Sequence, residues 1–235
     1  MTTTIPATST TGRTVDEAAP SARWSGAMRL AGGVALIAGP LCFAAGMFTS
    51  PPQDSMADVD YIASLSRDIT MTQISALFLH YANLLMGLGI LAAPSLVRGS
   101  RGLKLVVLGS LATALGMVNV SGMILSDWWN AAIGTLLSPE QAAEVFSFVK
   151  HESLFAVWNG TEIFSTLGTI IVLAGLARAG VLGWWTLALM AGGIAGLIVF
   201  GTGLRILAAA AILVGFSPFA LIGVRLVQRY RLETR

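Results

Sequence analysis

Glu162 stands in the apolar stretch HESLFAVWNGTEIFSTLGTIIVLAGLA, residues 151–177, with Trp158, Asn159 and Thr161 beside it. A carboxylic acid in such a setting is a candidate proton donor, because removal from water disfavours its charged form. His151, Phe155, Trp158 and Glu162 follow the i, i+4, i+7, i+11 spacing that stacks side chains on one face of a helix. A second polar group, His80 with Tyr81 and Asn83, interrupts the apolar run 72–97, and a third, Asn119, Ser121, Ser126 and Asp127, ends the run 103–125. A deep histidine needs a hydrogen-bond partner, so His80 serves either as a proton relay or as a satisfied structural group.

These residues need a scaffold, and the composition defines it. The 235 residues are 55% hydrophobic and 11% charged, with a mean hydropathy of +0.77. Apolar runs of about 20 residues read as membrane spans. They fall near 30–49, 72–97, 103–125, 153–177, 181–203 and 206–227, which predicts an all-α, polytopic bundle of six transmembrane helices. The flanking segments read as a disordered tail over 1–28, rich in Thr, Ser, Ala and Pro, and a short basic tail over 229–235. With the N-terminus inside, eleven Lys and Arg residues fall on the cytoplasmic side; Arg67, Lys150 and Arg205 fall outside. That asymmetry predicts cytoplasmic termini. The Ala, Gly and Leu content and the excess of Arg over Lys suggest a GC-rich bacterial genome, so the expected location is a bacterial inner membrane.

Two longer connections then face outward. In the first, Val59, Ile62 and Ala63 suggest a short helix lying on the membrane. In the second, Ser138-Pro-Glu-Gln141 carries a capping serine, a proline at the first helical position and a glutamine at the third, followed by Val145, Phe146 and Val149 on one side. The expectation is a lid lying on the membrane over the bundle. Gly192 with Gly196, and Ala112 with Gly116, are small-residue pairs that bring helices close. Pro40 and Pro218 lie within the first and last spans, where kinks are expected.

Several chemistries lack their residues. The single cysteine, Cys42, allows no intrachain disulfide. HExxH, Walker and dinucleotide-binding patterns are absent, so no cofactor, metal or nucleic acid is called for. Rhomboid-type proteolysis would need a Gly-x-Ser-Gly in the fourth span, which is missing. An acid among aromatic side chains instead suits an apolar ligand: Trp158, Phe155, Tyr81, Phe78 and Phe164 could line the walls and stabilise a cation. In length, helical layout and an acid-bearing site the chain resembles the small integral-membrane terpene cyclases. That resemblance implies acid-catalysed cyclisation or isomerisation of an isoprenoid without a cofactor.

The residues themselves assign Glu162 as donor, with Asn159 and His80 orienting it. Trp158, Phe155, Tyr81, Asn83, Asn119 and Asp127 would form the ligand-binding wall. Two other functions stay open: a non-catalytic assembly partner or sensor, in a homo-oligomer or with another membrane protein, and a proton-coupled carrier.

Overall fold

The computed structural model describes residues 20–55, 57–201 and 203–234. Every regular element in it is helical: α1 (Pro20–Thr49), α2 (Asp58–Arg67), α3 (Ile69–Gly89), a 3-10 segment (Ile90–Leu96), α4 (Leu103–Ile124), α5 (Ser126–Leu136), α6 (Pro139–Lys150), α7 (Ser153–Gly160), α8 (Ile163–Arg178), α9 (Trp185–Phe200) and α10 (Arg205–Glu233). Five stretches are long and apolar enough to cross a membrane: 25–49, 69–96, 103–136, 153–178 and 205–233. The fifth of the six expected spans is the shorter apolar helix α9. Most of the expected tail over residues 1–28 lies outside the described residues, but α1 already begins at Pro20. At the other end α10 runs on to Glu233, through most of the expected basic tail.

Nothing apolar is gained when one greasy helix meets another in lipid, so close packing must come from shape. Here it comes from glycines seven residues apart. On α1, Gly32, Gly39 and Gly46 face Gly89, Ala82 and Leu79 of α3, and the Ser75 hydroxyl donates to the Gly46 carbonyl at 2.9 Å. On α4, Gly102, Gly109 and Gly116 meet α8 at Gly175, Val172 and Ser165. A seven-residue period keeps a seam facing its partner along a whole helix. Gly33 lies against Gly223 of α10, and Gly193 of α9 against Gly215. In each pair the residue numbers run in opposite directions, so all these neighbours are antiparallel. Gly102 has a second duty: its φ of +80° starts α4 in the left-handed region, which other residues resist.

The contacts order these five helices and α9 as α9, α10, α1, α3, α4, α8. The series bends round until α8 and α9, at its two ends, meet only loosely. One end of the bundle gathers the start of α1, the end of α10 and Arg98, Arg101, Lys104, Arg178, Arg225 and Arg229; Arg29 and Arg229 bond Glu233 there, and Arg229 also donates to the Ser95 carbonyl.

The other end carries a packed cap instead of a flat lid. α4 and α5 together form a stretch of 34 residues, or roughly 51 Å at 1.5 Å per residue, against about 30 Å of hydrocarbon. α5 packs on α3, and α2 and α6 pack on α5 in turn. The buried face of α2 is Ile62, Ser64 and Leu65; Val59 and Ala63 of the expected surface helix are exposed. The α6 start is the expected capping box, with Gln141 N–H donating to Ser138 Oγ and Ser138 N–H to Gln141 Oε1, both at 3.3 Å. Helices α1 and α10 continue through Pro40 and Pro218.

Of the two expected small-residue pairs, only part is used for close approach. Gly192 faces open space, while Gly193 and Gly196 carry the α9 contact; Gly116 sits on the α8 backbone, and the main chain of Ala112 meets Gly168. A Cβ on Gly116 would overlap the main chain of Phe164 and Ser165. Gly116→Val should therefore destabilise the detergent-purified protein by about 1–3 kcal/mol, the usual cost of overpacking, whereas Gly192→Ala should leave its thermal unfolding temperature unchanged.

Candidate functional site

The polar stretch of the fourth span breaks its helix. α7 ends at Gly160 and α8 begins at Ile163, and across the break Thr161, Glu162, Phe164 and Ser165 donate their N–H groups three residues back, at 2.9–3.1 Å. His151 belongs to the end of α6, where its ring meets the Ser147 carbonyl at 2.7 Å. The stripe His151, Phe155, Trp158, Glu162 is therefore cut twice and does not form one helical face.

Asn119 of α4 holds this break. Its amide nitrogen donates to the Trp158 carbonyl at 3.0 Å and to the Thr161 hydroxyl, and its amide oxygen accepts the Trp158 indole N–H. Thr161 in turn donates to the Trp158 carbonyl at 2.7 Å. Freed backbone groups in a broken span need such side-chain partners. Asn119 and Trp158, expected in a ligand wall, clamp the chain around Glu162 instead. Phe155 meets Trp158 edge-on at 5.7 Å, away from the central cavity.

That cavity, of about 310 Å³, lies among α1, α3, α4, α8, α9 and α10. Phe43 (α1), Asn83 (α3), Met117 and Val120 (α4) form one side; Met190, Ile194 and Leu197 (α9) with Ala211, Ile212 and Phe216 (α10) form the other. Glu162, Ser165, Thr166 and Thr169 line the α8 edge, where α8 and α9 part. Glu162 is the only titratable side chain on the wall among the described residues, and its carboxylate takes no hydrogen bond or ion pair from them. It is exposed at this opening, 9 residues from Ser153, or roughly 14 Å along the chain. Aromatic walls are present, but from other residues than expected: Phe43 and Phe216 approach to 5.1 Å between ring centres.

The remaining expected residues have other positions. His80 Nδ1 meets the Ser121 hydroxyl at 2.7 Å and its carbonyl at 2.9 Å, tying α3 to α4; His80 does not line the cavity. Tyr81 packs edge-on to His80 and faces an outer groove between α1 and α3. Phe78 and Phe164 are partly exposed and also stand off the wall. Asn159 is exposed and supplies only its carbonyl, to Glu162 N–H at 3.0 Å. Asn83 is the one ligand-wall expectation that reaches the cavity; its amide is buried and donates to the Leu79 carbonyl at 2.8 Å. Sequence reasoning missed Ser165, Thr166 and Thr169, which recur below Glu162 at helical spacing and were legible as a polar edge.

Asp127 belongs to the cap. Its carboxylate accepts the Tyr61 hydroxyl, and the Tyr61 ring stacks at 5.3 Å on Phe146, so a single tyrosine joins α2, α5 and α6. Burial, and then the neighbouring Asp127 carboxylate, raise the Tyr61 pKa well above its ordinary 10.0. With a folded-state pKa above the unfolded one, this group's contribution to stability is whole below pH 10 and is lost as pH rises further. No family model matches the chain, and no characterised protein or solved structure is significantly similar to it. In an alkaline titration followed at 295 nm, Tyr61→Phe should remove a late step that in the wild type coincides with loss of tertiary structure.

Proposed function

We propose that this chain is a six-span protein of the bacterial cytoplasmic membrane, with both termini inside, that takes an isoprenoid or lipid-like molecule into its central cavity. The observation that carries this reading is an apolar cavity walled by six helices with one carboxylic group, Glu162, at its edge that is unpaired among the described residues. Ligand sites are typically about 300–1,000 Å³, and an apolar cavity of about 150 Å³ takes benzene. The 310 Å³ here suits a unit of roughly ten to fifteen carbons on that scale. The parting of α8 and α9 is a sideways entrance from the bilayer, so a greasy ligand need not pass through water.

Chemistry follows if the acid is protonated. Glu162 would donate its proton to an alkene carbon, the cation formed would lie near the faces of Phe43 and Phe216, and loss of a neighbouring proton to the carboxylate would restore the acid. The product is an isomer or a ring, and no cofactor enters the balance. Crossing by α9 makes six spans, and the arginine-rich end then faces the cytoplasm by the positive-inside rule.

Exposure of Glu162 also favours a second reading, in which a helix of another chain covers the α8–α9 opening and bonds the carboxylate. A single comparison separates the two. Wild type, Glu162→Gln and Ile194→Trp, the last filling the entrance, would be purified in detergent, incubated with farnesol in D₂O and examined by native mass spectrometry and product analysis. The ligand reading expects farnesol retained by the wild type and lost from Ile194→Trp, with deuterium entering an isomer at a rate reduced about 10²-fold or more by Glu162→Gln. No retained isoprenoid in any protein, together with a smaller oligomer for Glu162→Gln, would replace this reading with assembly.

A further inference from the structure

At the opposite end of the bundle from Glu162, a second pocket of about 420 Å³ is bounded by the end of the 3-10 segment, the α8–α9 turn and the last turns of α10. Three arginines converge on it, Arg98, Arg225 and Arg229, with Gln228 between the last two. Leu96, Val181 and Leu232 supply its apolar surface. No carboxylate lines it among the described residues. Arg229 is already engaged, by Ser95 and by Glu233 at 3.2 Å, which fixes its guanidinium in place. Arg98 and Arg225 are exposed and make no ion pair among the described residues.

The surrounding backbone does not absorb these donors. Carbonyls at the end of α8 are satisfied within the turn, Ala177 by Gly180 N–H at 3.0 Å and Leu176 by Val181 N–H at 2.9 Å. Gly180, with φ of +74°, closes that turn and presents no side chain to the pocket. What remains is a concave surface with a fixed guanidinium, two free ones, an amide and an apolar rim. Guanidinium groups bind phosphate oxygens in pairs of parallel hydrogen bonds, with a geometry that a lysine lacks.

We infer that this pocket binds a phosphate group, and that the apolar rim of Leu96, Val181 and Leu232 suits one carried by an anionic lipid headgroup. Basic pockets between spans at the cytoplasmic face are suited to such headgroups. The general excess of positive charge at this end explains orientation but not convergence: Arg101 and Lys104 lie at the same end and outside the pocket. This gives an internal control of equal charge.

The test uses the full chain in detergent, titrated with dioleoyl phosphatidylglycerol or dioleoyl phosphatidylcholine and read by native mass spectrometry. One phosphatidylglycerol should be retained at least about ten-fold more tightly than phosphatidylcholine, a difference of roughly 1.4 kcal/mol. Arg98→Gln/Arg225→Gln should lose that preference, while Arg101→Gln/Lys104→Gln should keep it. Since all four side chains are exposed, unchanged thermal unfolding is expected of both double variants. Displacement of the lipid by millimolar inorganic phosphate would assign the site to free phosphate, and retention against it would assign the site to a headgroup. Equal loss in the two double variants, or no preference in the wild type, would overturn the inference.

Discussion

Close approach of backbones through glycine is the constraint on which the rest of this structure depends. The seams of α1 with α3 and of α4 with α8 place small residues every seventh position, so main chains touch over several turns. Without a hydrophobic force between helices in lipid, this contact area and the dispersion attraction it gathers are what hold the pairs. Each pair is closed at the capped end by helical connections, and the short connection from α3 to α4 at the arginine-rich end joins the two pairs. They act as two rigid walls. The cavity exists because the third pair, α9 with α10, is attached to this unit chiefly through α1 and meets α8 only weakly.

That arrangement gives the broken fourth span its meaning. A continuous helix would keep its carbonyls bonded and carry Glu162 wherever the helical phase took it. With the chain interrupted at Thr161 and Glu162, the acid is fixed by the Asn119 clamp at the one edge of the bundle without a tight neighbour. Four polar side chains, Glu162, Ser165, Thr166 and Thr169, then face a wall that is otherwise almost wholly apolar. Distribution of function between clamp and cavity also explains why polar residues close in sequence part company in space. Asn119 and Thr161 secure the turn, His80 is satisfied by Ser121, and Asp127 is spent on Tyr61 in the cap.

Much of the architecture was legible because membrane spans are long, periodic signals. Five of the six apolar runs agree with long apolar helices to within several residues at most ends, and α9 lies inside the sixth. The capping box of α6 was legible too, since its chemistry is local to four residues. The cap and the site were not. Where α5 packs depends on how the chain turns at Leu125 and on contacts with α2, α3 and α6, which hydropathy does not register. Glu162 was found from its depth and charge alone, but its neighbours were drawn from the same helical face. The break rotates that face, so Phe43 and Phe216, distant in sequence, stand where Trp158 and Phe155 were expected. The heptad glycines were visible in the sequence; Gly192 and Gly196 drew attention because their four-residue spacing is the more familiar pattern.

The extensive contact of α1 with α10 joins the first long helix of the chain to the last. Synthesis therefore delivers the two sides of the cavity at opposite ends of its timetable: α1, α3, α4 and α8 are in place while α9 and α10 are still to come. Until α10 docks along Gly33, that strip of α1 has no helix packed on it. Docking of α10 then supplies Ala211, Ile212 and Phe216, the last part of the cavity wall. A chain ended before α10 would retain the α1–α3 and α4–α8 glycine seams but lack that side of the cavity.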